Sequence, residues 1–219
     1  MNYKDVETLL EQGEGFRIEF KRKVSSPGKI ARTLIAFANT KGGTMIFGVD
    51  DDRSIVGVDS EKSEIEMIKT AGGYYSDPPV EMKIEIVSHG GKDVIAVRVD
   101  ESRTKPHYLV GQTNGDSEDD SKVLIRVNDK TVVASKEVVK ILEAENPDAP
   151  PLRIAIGETE RRLLDYLDTN ERITVKQLGK LVNISDRRAS RLLIQLVRAG
   201  VLRIHTHEKE DYYTLAFDQ

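Results

Sequence analysis

Hydrophobic residues recur with two different spacings along the first two thirds of the chain, and each spacing predicts one kind of element. Alternation of apolar and polar residues predicts strands over 80–87 and 94–99, joined by a turn at His89-Gly90-Gly91. Apolar residues three and four apart predict a helix after Ser26-Pro27, with serine as its cap and proline in its first turn. The same patterns predict strands over 17–24, 44–49, 54–58 and 122–127, and helices near the N-terminus, over 61–71 and over 135–145. This part of the chain is therefore predicted to be an α/β (α+β) domain.

A proline-rich segment divides the chain. Pro147-Asp148-Ala149-Pro150-Pro151 cannot continue a helix, because proline lacks the amide hydrogen that a helix interior uses, and it favours an extended connector. We therefore predict one domain over 1–146, a linker over 147–156 and a second domain over 157–219. An acidic segment of the first domain, 114–121, is predicted to be a solvated loop.

The second domain has the pattern of a winged helix-turn-helix. One helix is predicted over 158–169, and another follows Thr174, which has capping-box spacing to Gln177. A turn at Asn183-Ile184-Ser185 leads to a third helix, 186–199, with an apolar face and with Ser185 as its cap. Strands over 201–206 and 211–216 then form a hairpin. Two helices with a tight turn between them, followed by a hairpin, are typical of this DNA-binding fold.

The polar side of the third helix carries the candidates for nucleic-acid contact. They are Arg187, Arg188, Arg191, Gln195 and Arg198, and together they are called the arginine face below. Such side chains reach phosphates or base edges when a helix enters a major groove. The alternative is a solvated face on a domain used for packing or dimerisation, and the acidic hairpin tip, 207–210, weakens groove contact there. The helix-turn-helix pattern favours DNA binding.

Composition narrows the choice of function. The net charge is −4 and the isoelectric point is about 5.7, so any nucleic-acid binding depends on local rather than overall charge. Cysteine is absent, which excludes disulfides, thiol catalysis and cysteine-bound zinc. No apolar run approaches the roughly eighteen residues that cross a bilayer, and the first residues have no signal-peptide pattern. A cytoplasmic protein without membrane contact is expected.

Several segments of the first domain match one known family in order and spacing. They are Gly13-Glu14-Gly15-Phe16-Arg17-Ile18-Glu19-Phe20-Lys21, Ala36-Phe37-Ala38-Asn39-Thr40-Lys41-Gly42-Gly43-Thr44, Phe47-Gly48-Val49-Asp50-Asp51, Arg103-Thr104-Lys105-Pro106-His107-Tyr108 and Ile125-Arg126-Val127. With these segments, roughly residues 1–145 resemble the Schlafen AlbA-2 family. The resemblance implies a mixed sheet packed against helices. Bacterial members are described as DNA-binding domains of transcriptional regulators, and they commonly carry a C-terminal helix-turn-helix.

The resemblance also implies a second possible activity. In eukaryotic Schlafen relatives two such units form a basic cleft that binds RNA, and three carboxylates cleave it. The matching positions here are Glu14, Glu19 and Asp51, with Lys21 beside them as a further catalytic candidate. Three carboxylates can hold Mg²⁺ or Mn²⁺, which stabilises charge on a phosphodiester and activates water. The alternative is that Glu19 is only the polar face of its strand and that Asp50-Asp51-Asp52 is only a turn.

We therefore predict a DNA-binding transcriptional regulator that acts as a homodimer, with DNA a better candidate partner than RNA. The first alternative is a divalent-metal-dependent endoribonuclease, and the second is a non-catalytic assembly module. Enzymatic activity is the less favoured outcome, and no cofactor beyond Mg²⁺ or Mn²⁺ is suggested. ATP hydrolysis is disfavoured because no Gly-x-x-x-x-Gly-Lys sequence is present to wrap phosphates.

Overall fold

The computed structural model describes residues 1–111, 121–152, 154–207 and 210–216. It divides into two compact units, Met1–Ala134 and Ser135–Gln219. The predicted closing helix of the first domain therefore groups with the C-terminal unit, ahead of the proline-rich segment. Most of the predicted acidic loop and the tip of the predicted hairpin lie outside the described residues.

A four-stranded mixed sheet forms the centre of the N-terminal unit. Its strands are β1 (Ile18–Lys21), β2 (Gly43–Phe47), β4 (Lys83–His89) and β5 (Lys92–Val99), in the order β1-β2-β5-β4. β1 is parallel to β2, whereas β5 is antiparallel to both β2 and β4. β1 and β4 are therefore the edge strands, and β5 is hydrogen-bonded on both sides.

A second, antiparallel sheet completes the unit. It contains β3 (Ser76–Asp77), β6 (Tyr108–Leu109), β7 (Lys122–Val127) and β8 (Lys130–Val133), in that order. β8 forms a hairpin with β7 that the sequence patterns did not predict. The strand predicted over 54–58 is wrong, because this segment makes only one isolated bridge, between Ile55 and Val49.

Helices α1 (Tyr3–Gln12), α2 (Pro27–Asn39) and α3 (Glu61–Tyr74) cover the sheets. α2 begins as predicted, with Pro27 in its first turn and the Ser26 hydroxyl accepting from the Lys29 amide. Met45 and Phe47 of β2 pack with α2 and α3 in the main core, whereas Ile46 packs on the opposite face of the sheet. This alternation buries both faces of the central strand, which explains its continuous apolar sequence.

Asn39, the last residue of α2, connects this helix to the second sheet. Its side-chain nitrogen donates to the His107 carbonyl at 2.9 Å and to the Leu124 carbonyl at 3.0 Å, and its oxygen accepts from the His107 amide at 2.7 Å. Asn39 is 2% exposed, so all three bonds are shielded from water. Because these buried hydrogen bonds are costly to break, the Asn39 side chain fixes the position of α2 over β6 and β7.

The turn at Lys41-Gly42-Gly43 leads into β2 and requires glycine at position 42. Gly42 has φ of +69°, and a Cβ at this position would lie 2.7 Å from the carbonyl oxygen of Val99. A side chain would therefore meet both an unfavourable backbone conformation and a backbone clash.

We expect Gly42→Ala to lower the free energy of unfolding by about 1–3 kcal/mol, measured by urea denaturation. Gly73→Ala is the matched control, because Gly73 lies in α3 and a Cβ at this position would meet no atom within 4 Å. That change should be neutral or stabilising by about 0.5–1 kcal/mol, since alanine favours a helix. Equal effects of the two substitutions would contradict this account of the turn.

The C-terminal unit contains four helices and one hairpin within its described residues. They are α4 (Lys136–Glu145), α5 (Glu158–Leu167), α6 (Val175–Val182), α7 (Asp186–Arg198), β9 (Leu202–His205) and β10 (Tyr212–Leu215). The helices α5, α6 and α7 and the hairpin share one core around Leu163, Leu193 and Tyr213. No helix in the described part of the chain is long and apolar enough to cross a membrane.

Candidate functional site

The turn between α6 and α7 has the geometry of a helix-turn-helix. The predicted capping box starts α6, because the Thr174 amide donates to Gln177 at 2.8 Å and the Gln177 amide donates to Thr174 at 3.3 Å. Asn183 ends α6 in the left-handed conformation, with φ of +54°. A Cβ at Gly179 would lie 3.1 Å from the Ile184 carbonyl oxygen, so the chain after the turn passes close to α6. Ser185 occupies the cap position of α7, but its side chain makes no capping bond.

α7 presents its arginine face away from the core of the unit. Ala189, Leu193 and Leu196 are buried on the core side. Arg187, Arg188, Arg191 and Gln195 are exposed, as the sequence predicts. Arg198 differs: it is only partly exposed and donates to the Pro150 carbonyl at 3.0 Å, so it holds the proline-rich segment against the end of α7.

One edge of the arginine face is covered by α4, which the sequence did not indicate. Ser190 donates to the Glu137 carboxylate of α4 at 2.7 Å. Ile194, one turn further along α7, is only 7% exposed although it lies on the same side as Arg187 and Arg191. Beyond Ile194 a cleft of about 450 Å³ opens between α4, α7 and the segment around Pro150. It is called the α4–α7 cleft below.

In the N-terminal unit, Glu14 is used to complete the edge of the first sheet. Its carboxylate accepts from the Phe20 amide of β1 at 2.9 Å. β1 pairs with β2 on one side only, so the amide on its other side needs a partner from outside the sheet. Glu14 supplies that partner, which is a structural role.

Glu19 is paired with two cations. Its carboxylate lies 2.6 Å from the Lys21 ammonium and 3.1 Å from the Arg126 guanidinium. Arg126 is almost fully buried, and it also donates to the Thr131 hydroxyl at 3.1 Å and to the Gly15 carbonyl at 2.6 Å. Its guanidinium further lies over the Phe37 ring, 5.2 Å from the ring centre. Glu19 and Arg126 therefore form a hydrogen-bonded ion pair that joins β1 to the second sheet.

The aspartate run after β2 forms a turn. The Asp50 carboxylate pairs with Arg22 at 2.9 Å, and the Asp52 carboxylate accepts from the Ser54 amide at 2.8 Å. Hydrogen bonding from Ser54 lowers the pKa of Asp52. Asp51 lies exposed between them, and its amide donates to Asp50. The aspartate run therefore lies in a turn, which is the alternative that the sequence offered.

The predicted trio of Glu14, Glu19 and Asp51 is not brought together as a metal-ligand group. Among the residues that the structure describes, no three histidine, aspartate or glutamate side chains lie close enough to hold one ion. The sequence patterns did not indicate Arg126, whose guanidinium pairs with the Glu19 carboxylate. The only sequence indication of Arg126 was its place in the family segment Ile125-Arg126-Val127.

Metal that bound a folded site would raise the melting temperature by mass action. Because the three carboxylates are not brought together, we expect millimolar Mn²⁺ to produce no saturable rise. Differential scanning fluorimetry and calorimetry measure this, with Glu66→Gln on α3 as a control for a lost surface carboxylate. The structural role of Glu19 would be contradicted by one pattern of results. In it, the melting temperature rises saturably in the parent and in Glu66→Gln but does not rise in Glu19→Gln.

The comparisons with known proteins agree with this architecture. The family model for Schlafen, AlbA_2 matches residues 14–135, and the model for winged helix-turn-helix DNA-binding matches residues 157–203. The chain therefore belongs to the Schlafen AlbA_2 family and carries a C-terminal winged helix-turn-helix DNA-binding domain. Both matches confirm the predicted family and fold class.

Solved structures add little beyond this. The N-terminal domain of a putative ATP-dependent DNA helicase RecG-related protein from Nitrosomonas europaea is 20% identical in sequence. The match covers 70% of this chain and 95% of that domain, with a TM-score of 0.42. The DIP2311 protein from Corynebacterium diphtheriae is 18% identical over 75% of this chain, with a TM-score of 0.46, and this chain spans 36% of its length. No curated protein matches the chain.

Proposed function

We propose that this protein is a cytoplasmic transcriptional regulator that binds duplex DNA through α7. The arginine face carries the proposal. Arg187, Arg188 and Arg191 are exposed on the second helix of a helix-turn-helix, the helix that enters the major groove in proteins of this fold. The guanidinium group of arginine can donate two parallel hydrogen bonds to a guanine edge or to a phosphate. The overall negative charge does not oppose this, because the proposed contact depends on one local cluster.

Homodimerisation is part of the proposal, since two-fold symmetry places two reading helices on two half-sites. A strand can join two copies only through an unpaired edge, and β5 is excluded because both of its edges are paired. β4 is an edge strand, and Ile86 on it is 49% exposed. The other edge strand, β1, is partly closed by Glu14. Sedimentation at micromolar concentration tests this, and a monomer at all concentrations would remove the dimer from the proposal.

The decisive experiment selects bound sequences from a random duplex DNA library with the full chain. We expect enrichment of paired half-sites whose centres lie about 10 bp apart or a multiple of that distance. RNA binding and cleavage are measured in parallel, with and without Mn²⁺. RNA cleavage without DNA binding would instead support the ribonuclease alternative, and a dimer that binds neither nucleic acid would support an assembly module.

A further inference from the structure

The α4–α7 cleft carries a surplus of positive charge. Lys140, Arg187, Arg191 and Arg198 line it, against the single carboxylate of Glu143 among its described residues. Within the described ranges, Lys140, Arg187 and Arg191 form no salt bridge. A cleft lined mainly by charges of one sign attracts ions of the opposite sign. The charge distribution therefore favours a negatively charged occupant.

The shape of the cleft sets the size of that occupant. Its volume of about 450 Å³ lies within the range of small-molecule sites and is far too small for a duplex. The Ser190–Glu137 hydrogen bond holds α4 against α7 on one side, and the Arg198–Pro150 hydrogen bond holds the proline-rich segment in place on the other. The cleft is thus bounded by two hydrogen-bonded contacts rather than by surface side chains alone.

The lining also includes an apolar part. Ile194, Ala144, Ala149 and Pro150 contribute hydrocarbon surface next to the cationic groups. An inorganic ion would leave this surface unused, whereas a small organic molecule with an acidic group would contact both parts. Arginine binds carboxylate and phosphate groups through the same two-pronged geometry, so the acidic group belongs to one of these two kinds.

We infer that the α4–α7 cleft binds a small organic anion, a phosphate or carboxylate on an apolar body, and that this ligand competes with DNA. The competition rests on the proposed function, because Arg187 and Arg191 belong both to the cleft and to the arginine face. The ligand also contacts α4 through Lys140, so it favours the arrangement in which α4 covers the edge of α7. Binding of one partner then weakens binding of the other by the same factor.

The test begins without DNA. Nucleoside monophosphates and pyrophosphate represent phosphate ligands, and aromatic carboxylates and citrate represent carboxylate ligands. Each is titrated by calorimetry into the full chain at constant ionic strength, because salt alone screens charge. We expect saturable binding of one organic member, and we expect Lys140→Ala to weaken it about tenfold or more through loss of a charged hydrogen bond. Lys136→Ala, an exposed lysine one turn earlier on α4 and outside the cleft, should leave binding unchanged.

The competition is measured next, by fluorescence anisotropy of labelled duplex. Without ligand, Lys140→Ala should bind DNA with the same affinity as the parent. The ligand identified above should weaken DNA binding by the parent and by Lys136→Ala, but it should not weaken DNA binding by Lys140→Ala. No saturable binding by any probe at millimolar concentration, or equal binding by Lys140→Ala and the parent, would overturn the site. Ligand binding without any effect on DNA affinity would overturn the competition. If the parent binds no DNA at all, the proposed function fails while the titration still decides whether the cleft is an anion site.

Discussion

Replacement of Arg126 with methionine is expected to lower the free energy of unfolding by about 3–5 kcal/mol. The substitution keeps most of the side-chain volume but leaves the Glu19 carboxylate and the Gly15 carbonyl without their buried donor. It also removes the cation from the face of the Phe37 ring. Urea denaturation followed by circular dichroism measures the change.

Two further variants separate the ion pair from a general loss of charge. Lys21 is the other partner of Glu19, but its side chain is 42% exposed, so Lys21→Met should cost less than about 1 kcal/mol. Removing both buried charges with Arg126→Met and Glu19→Leu should recover part of the loss, because no buried charge remains unpaired. If Arg126→Met were no more destabilising than Lys21→Met, Arg126 would not be the structural partner of Glu19.

The double variant Arg187→Ala and Arg191→Ala is expected to give the largest functional effect. Each arginine that reads a base should cost about 1–3 kcal/mol of binding, and each that contacts a phosphate should reduce the log-log salt slope by about one unit. Folding should change by less than about 0.5 kcal/mol per site, since both side chains are exposed. Fluorescence anisotropy with a selected duplex across a salt series measures both quantities.

The matched control removes the same charge elsewhere. Lys62 and Lys69 are exposed on α3 of the N-terminal unit, so their double alanine variant changes the net charge equally without touching the arginine face. Its DNA affinity and salt slope should remain those of the parent. If both double variants bind DNA equally well, α7 is not the reading helix.

Much of the fold was predictable because its determinants act within a few residues. The Ser26 cap and the Thr174–Gln177 capping box each depend on neighbours in the chain, and both occur where the sequence places them. The arginine face was predictable for the same reason, since helical periodicity alone sets it opposite the apolar side. Predictions of short strands were less successful. The segment 54–58 makes only a bridge, and β8 was missed, because so short a strand depends on the strand beside it.

The acidic positions show the limit of sequence reasoning most clearly. The resemblance to the Schlafen AlbA-2 family singled out Glu14, Glu19 and Asp51, and the parallel pairing of β1 with β2 brings the elements that carry Glu19 and Asp51 side by side. Spacing did not indicate the partner of each carboxylate. Glu14 accepts from the Phe20 amide of an edge strand. Glu19 pairs with Arg126, which is 107 residues away in the chain.

The sequence by itself determined the two kinds of domain, the bounds of most helices and the charge of α7. Caps and the periods of strand and helix are local, because each acts on the backbone within a few residues. Only the tertiary structure decided that Arg126 neutralises Glu19 and that α4 covers one edge of the arginine face. The second arrangement depends on Ser190 and Glu137, which are 53 residues apart. Contacts of this range form when separate elements pack together, and no local pattern encodes which side chains then meet.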